Sequence, residues 1–310
     1  MRTGLTAVVD GVGREVLRPP LGASTLPPFE SGWLKPGGGH APFLSYVAGE
    51  QAVNWSDELE DLHEESSRTH FIDVWTRKAM LDRLGSLPPA PTVIDLGCST
   101  GYLLEDLRRA APQKATLIGV DLVAGGLRKA HTNVPDALLI QANVCALPLQ
   151  DASVDAIVSA NLLEHVPHDE QALAEMHRIM RPGARAVVVV PMGPGDYDYY
   201  DRFLGHERRY ARRELARKAS GAGLAVLEDI CLGALLYPAF WAVKQRNRRR
   251  YGHLQGEALA RKVAGDIENT NDSALGRTAC ALEDLLLRIG VRAPFGIRGL
   301  TVLKRAESSP

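Results

Sequence analysis

Residues 91–190 constrain the fold more than any other part of this chain. Five short apolar runs, PTVIDLG, ATLIGVD, DALLIQAN, VDAIVSAN and ARAVVVVP, occur there, interleaved with amphipathic stretches such as TGYLLEDLRRAA, VAGGLRKAHTN and DEQALAEMHRIM. Runs of this length with no polar alternation suit strands buried on both faces, the signature of a parallel sheet. Helices joining parallel strands cross over with one hand and so cover both sheet faces. The expected architecture is a doubly wound α/β sheet.

The flanks read differently. Nine glycines and six prolines fall in the first 50 residues, so residues 1–55 form a Gly/Pro-rich arm expected to wrap the surface or stay partly mobile. A helix is expected from Ser56, a candidate N-cap, to about Leu84, and it opens a core unit that runs to residue 232. Past Pro191 come a loop rich in Gly, Asp and Tyr, a basic helix at 211–222 and a strand at 224–231. Residues 233–293 are expected to form a helical cap insertion, and residues 294–310 a final edge strand, GIRGLTVLKR, with a polar tail.

Composition narrows the functional classes. The net charge is −1, so no whole-molecule field draws the chain to nucleic acid or anionic lipid. Cys98, Cys145, Cys231 and Cys280 form no CxxC pair, which points to reduced thiols and a cytoplasmic setting rather than a disulfide framework or zinc site. No secretory signal is visible at the amino terminus, and no run of 18 apolar residues exists. The run ICLGALLYPAFWAV at 230–243 precedes the basic KQRNRRR at 244–250. As a helix it spans about 21 Å, short of a bilayer core of about 30 Å. Three readings remain for it: a buried helix with a solvated basic end, a lid over an apolar substrate, or an anchor on a membrane surface.

The chemistry sits at the first strand-to-helix turn, Val93-Ile94-Asp95-Leu96-Gly97-Cys98-Ser99-Thr100-Gly101. Glycines there let backbone approach a ligand, and the following helix offers free N–H groups. Asp121 ends the second strand, 26 residues after Asp95, where an acid can accept from both ribose hydroxyls; its alternative is a plain helix cap. Dinucleotide oxidoreductases and S-adenosylmethionine enzymes share this logic. The dinucleotide fingerprint needs a third glycine, and Ser99 stands between Gly97 and Gly101.

The hydrophobic-D-x-G-x-x-x-G pattern resembles the first motif of class I S-adenosylmethionine-dependent methyltransferases of the small-molecule type, as found in quinone and natural-product biosynthesis. The stretches 141–149 (QANVCALPL) and 153–158 (SVDAIV), Asn161-Leu162-Leu163-Glu164-His165-Val166, and Arg181-Pro182-Gly183 resemble that family's later motifs in order. The resemblance implies a seven-stranded Rossmann-like sheet and S-adenosylmethionine as cofactor. It places Asp95, Gly97 and Gly101, with Cys98 and Ser99 in the same turn, around the methionine part. Asp121 would hold the ribose and Leu122 pack on the adenine. Asn143 and the Val144 backbone would meet the ring, and Asn161 and Leu162 would lie under the sulfonium. His165 is either a cofactor contact or a packed histidine. Ser99 replaces a common glycine and Asn143 a common Asp; an amide oxygen still accepts from adenine, without a charge to assist.

The family often carries an H-x-R-x-[YF]-like element after the fifth strand, and Gly205-His206-Glu207-Arg208-Arg209-Tyr210 resembles it. His206 is the first candidate base and Glu207 the second; the alternative is an ion-pair cluster at a helix start. Tyr197, Tyr200, Tyr210, Tyr237 and Trp241 are candidate substrate contacts. No metal is expected, because no Asp/Glu/His set has metal-ligand spacing. The expected partner is a small apolar or aromatic methyl acceptor and not a nucleic acid, since NLLE at 161–164 replaces the Pro-rich element of nucleic-acid enzymes. A nucleic-acid or protein methyltransferase and a non-catalytic cofactor-binding protein are the other readings. Oligomeric state is not legible.

Overall fold

The apolar runs form the strands expected of them. The computed structural model describes residues 14–20, 23–29, 32–34, 38–47, 68–268 and 273–307. A small hairpin pairs β1 (Trp33–Leu34) with β2 (His40–Ala41). The main sheet contains β3 (Leu44–Ser45), β4 (Thr92–Leu96), β5 (Thr116–Asp121), β6 (Leu138–Gln141), β7 (Val154–Ala160), β8 (Met180–Pro191), β9 (Leu224–Leu232) and β10 (Arg298–Arg305). Their order is β3-β6-β5-β4-β7-β8-β10-β9. Strands β3 to β8 run parallel, and β10 is antiparallel to both β8 and β9. The chain therefore reverses its direction of winding between β4 and β7, where a doubly wound sheet opens a crevice at the carboxyl ends of its strands.

Alternate residues of each strand feed the two faces. Ile94, Leu96, Ile118 and Val120 pack with Leu173 and Met176 of α4 (Asp169–Ile179) and with Leu215 and Ala219 of α6 (Glu214–Gly221). On the other face, Val93, Leu117 and Val187 pack with three helices that precede or follow the first strands: α1 (Phe71–Leu81), α2 (Tyr102–Ala110) and α3 (Ala124–Asn133). Every residue of β4 is buried. Further helices are α5 (Tyr199–Phe203), α7 (Tyr237–Tyr251), α8 (Gly256–Glu268) and α9 (Ala274–Arg288).

Four details differ from the sequence reading. The last strand is not at the edge: β10 lies between β8 and β9, and Leu300, Thr301, Val302 and Leu303 are buried, as an interior position requires. Arg181-Pro182-Gly183 is not a turn before a strand but a bulge within β8, where Gly183 takes φ +83° and the register to β7 shifts. The run 230–243 is not one helix; Gly233 (φ +80°) ends β9, and α7 starts at Tyr237. The basic helix after the Tyr-rich loop is shorter than 211–222, beginning only at Glu214 after Arg213 with φ +61°.

The arm is not wholly peripheral. Val16, Leu17 and Trp33 join the core, Leu17 bridging Leu149, and β3 extends the sheet beside β6 as an eighth strand. Ser56 and the first part of the helix expected from it lie outside the described residues. Among the described residues, no helix is long and apolar enough to cross a membrane.

Candidate active site

The turn after β4 is built around left-handed backbone. Gly97 and Ser99 have φ +78° and +46°, and Gly101, which precedes α2, has φ +86°. The Gly97 and Cys98 amides donate to the Val120 carbonyl, binding the turn to β5. A Cβ on Gly97 would stand 3.0 Å from that of Leu162, in the loop after β7. A Cβ on Gly101 would press on Ala130 of α3 at 3.1 Å. Ser99 thus occupies a conformation that glycine takes without cost. Its amide reaches Asp121 Oδ2 at 2.8 Å, while the Val123 amide donates to Oδ1 at 2.9 Å. Cys98 contributes backbone only, because its thiol side chain is buried in the core.

Asp95, next to last in β4, lies beneath this turn with Oδ2 buried and without a hydrogen-bond partner. Burial, with the charge of Asp121 adding to it, pushes its carboxyl up to about 8. Asp121 is also raised by burial, against the amides that favour its charged form. Around the same strand ends, the Leu122 carbonyl accepts from Gln141 Nε2, and Val144 is buried beside exposed Asn143. The Asn143 amide oxygen is already engaged by the Cys145 amide at 2.9 Å, which leaves it reduced capacity toward a ring amine. Asn161 (φ +51°) turns the chain sharply out of β7, and half-buried Leu162 follows it.

The turn Leu163–His165 and the loop after β8 meet at a second cluster. The Glu207 amide donates to the Glu164 carbonyl at 2.7 Å, and the His165 and His206 rings stand edge to face, 4.7 Å apart. His206 Nδ1 pairs with Asp201 Oδ1 at 2.9 Å, and the Tyr197 hydroxyl donates to the His206 carbonyl. Asp201 is fully buried. Burial works to raise its pKa, but His206, Arg209 and Lys244 outweigh it and hold the carboxyl far below the ordinary range. Glu164, overlooked in the sequence, is buried with Oε2 unpartnered, and burial pushes it up to about 7 despite the nearby charges of His206, Arg298 and Arg209. Its signal was present: a carboxylate directly before His165 in a post-strand turn.

The structure separates the other candidates. Glu207 has an exposed side chain, while its backbone serves the Glu164 turn. Tyr210 is fully buried with its hydroxyl on Asp169 at 2.6 Å, so it supports the turn from below and faces no open substrate space. Tyr200 is mostly enclosed, its ring 5.8 Å from Lys244 Nζ. Tyr237 donates to Asp196 at 2.9 Å. Trp241 is 50% exposed and lines a surface groove with Gln245, Arg246, Arg249 and Arg250, away from the His206 cluster.

The observed cradle fits the cofactor that the resemblance implies. A partnerless buried acid, a turn whose glycines leave no room for side chains, and a carboxylate fixed by two amides converge at one end of β4 and β5. Residues 94–188 match the methyltransferase-domain family. The chain is 32% identical over 175 residues to an uncharacterized methyltransferase of Mycobacterium avium, covering 52% of this chain and 68% of that one. It is 29% identical over 165 residues to a probable S-adenosylmethionine-dependent methyltransferase of Mycolicibacterium smegmatis, covering 50% and 61%. With several curated relatives the match thus spans only about half to three fifths of the relative's length. Geranyl diphosphate methyltransferase, solved with geranyl diphosphate and sinefungin, shares the fold at a TM-score of 0.53 and 17% identity, over 76% of this chain and 78% of that one. By its turn, its strand order and these relatives, the chain belongs to the class I S-adenosylmethionine-dependent methyltransferases.

Proposed function

We propose that the chain transfers a methyl group to a small apolar or aromatic acceptor by in-line displacement. When bound, the cofactor supplies an electrophilic methyl on a sulfonium. Asp95 would receive the cofactor's ammonium on its partnerless Oδ2, and Asp121 its ribose hydroxyls. Leu122, Val144 and Asn143 would line the adenine, with Asn161 and Leu162 below the reacting carbon. His206 is the proposed base. Asp201 fixes its Nδ1, which directs the lone pair of Nε2 toward an acceptor proton, as a carboxylate orients a catalytic imidazole.

The Asp201–His206 pair carries this reading, because an ion-pair cluster serving structure alone has no need of a histidine poised beside the post-β7 turn. The aromatic side chains of Tyr200, Phe240 and Tyr197 around Lys244 and His206 support an apolar or aromatic acceptor. The geranyl diphosphate enzyme among the structural neighbours is consistent with it. All four cysteines are free, which supports a reducing, cytoplasmic setting.

A panel of phenols, polyketides and prenyl compounds, assayed with methyl-labelled cofactor, tests the reading. His206→Ala is expected to lower kcat about 10²- to 10⁴-fold while adenosylhomocysteine affinity holds. Methyl transfer to nucleic acid or protein, and to none of the panel, would overturn the acceptor class.

A further inference from the structure

No metal-ligand spacing is visible in the sequence, yet folding brings three ligand-type side chains together from segments about forty residues apart. Glu164 and His165 leave the turn after β7, and His206 comes from the loop after β8. One potential ligand atom from each lies within 4.8 Å of the others. We propose that Glu164, His165 and His206 form a binding site for a divalent transition-metal ion of the zinc or iron(II) class.

Four observations support it. The donor set, two imidazoles and one carboxylate, is the kind that binds such ions while leaving positions for water or an acceptor oxygen. With bonds of about 2.0–2.2 Å, the ligands of one tetrahedral ion stand about 3.3–3.6 Å apart, so atoms that lie within 4.8 Å of one another would draw in by up to about 1.5 Å, a change within reach of side-chain rotation. Glu164 Oε2 is buried without a hydrogen-bond partner, a costly state for a carboxylate that a bound cation would relieve. Asp201 accepts from His206 Nδ1 at 2.9 Å, the outer carboxylate contact that orients metal-ligating histidines.

The cations nearby do not occupy the place of the ion. Arg209 is bound to Asp201 at 2.7 Å, and Arg298 to Asp73 at 2.5 Å and to Thr76. Lys244 bridges Asp198 and Asp201. The inference deepens the proposed methyl transfer and alters one part of it. An ion would engage the remaining nitrogen of His206, so that residue would hold the metal, and the metal would acidify an acceptor hydroxyl so that its proton passes to water, in place of a side-chain base, before the oxygen takes the methyl.

Titration of the purified, chelator-treated chain with cobalt(II), followed by visible absorption and then by competition with zinc(II), tests the site. The expected result is one equivalent of cobalt with ligand-field bands, displaced by zinc. Glu164→Gln and His165→Ala should each weaken zinc binding at least tenfold, and Asp201→Asn about 10- to 100-fold. Glu164→Gln preserves shape and removes only the charge, so it reads the site even where a smaller residue would disturb the turn. Absence of bands in a folded chain that binds adenosylhomocysteine, or zinc affinity unchanged by both Glu164→Gln and His165→Ala, overturns the proposal. Methyl transfer that persists undiminished in chelator would likewise overturn the metal while leaving the methyl-transfer reading intact. Cobalt bound at this site without transfer to any panel acceptor would support the metal and count against the acceptor class.

Discussion

The chemistry of Asp95 lies far from its ordinary behaviour. Its carboxyl is pushed from 3.8 up to about 8, first by burial and then by Asp121. Between about pH 4 and about pH 8 the folded chain therefore holds a proton that the unfolded chain has released. Stability must fall as pH rises through that window and level off above it. Asp95→Asn, which cannot ionise, is expected to remove this contribution to the slope. Denaturant unfolding of ligand-free protein across that range measures it, and parallel profiles for parent and variant would contradict it. Asp121 offers a second test. Asp121→Ala is expected to weaken adenosylhomocysteine binding by about 1.5–3 kcal/mol, the range for hydrogen bonds to a charged group. Calorimetry showing equal affinity would reduce Asp121 to a support for the Ser99 and Val123 amides. Both acids were legible because their positions at strand ends carry their chemistry. Glu164 was not, since its meaning depends on His206 arriving from a distant loop, and spacing along the chain does not encode that meeting. Tyr210 misled for the converse reason: an aromatic beside a candidate base looks the same in sequence whether it faces a pocket or, as here, the core.

At the level of elements, the parallel strands were readable because burial on both faces leaves a continuous apolar run. The interior position of β10 was harder to read, since a run such as LTVLKR serves an edge or a centre equally well until its neighbours are known. The helices beyond β9 show the same division. Their existence follows from composition, but their docking depends on single contacts. α9 packs Cys280 and Leu287 onto the sheet face beside α1, while α7 and α8 engage the Asp196–Asp201 region, so only part of the expected helical cap lies near the His206 loop. Glu283 of α9 is one such contact. Its carboxylate accepts from the Gly233, Ala234 and Leu235 amides at 2.8–3.1 Å and so fixes the corner between β9 and α7. Glu283→Ala would leave these three donors without their acceptor, and a loss of about 3 kcal/mol or more is expected in denaturant unfolding. A loss below about 1 kcal/mol would mean that water replaces the carboxylate without difficulty.

For the whole molecule, the buried charges around Asp201 bind the helical insertion to the sheet. Lys244 projects from α7 to Asp198 at 2.8 Å and Asp201 at 3.3 Å, and Asp201 holds both His206 and Arg209. Removing one member of such a set leaves an uncompensated buried charge, so Lys244→Met is expected to cost about 3–5 kcal/mol of stability. It should also lower kcat more than it changes cofactor affinity, because the disturbance reaches His206 and not the β4 turn. Unfolding and steady-state kinetics on one preparation measure both, and a variant equal to the parent in each would show that α7 is held by other contacts. The placement of β10 has a further consequence for how the molecule comes into being. Strand β8 and strand β9 are both synthesised long before residues 298–305, yet neither touches the other in the finished sheet; each pairs with β10. While the intervening helices leave the ribosome, two long strand edges await their shared partner, with Val187, Val189 and Ile230 still uncovered. Such edges invite pairing with other nascent chains. The helical insertion thus lengthens the interval during which these edges stay unpaired, and the eight residues of β10 act as the closing seam of the sheet.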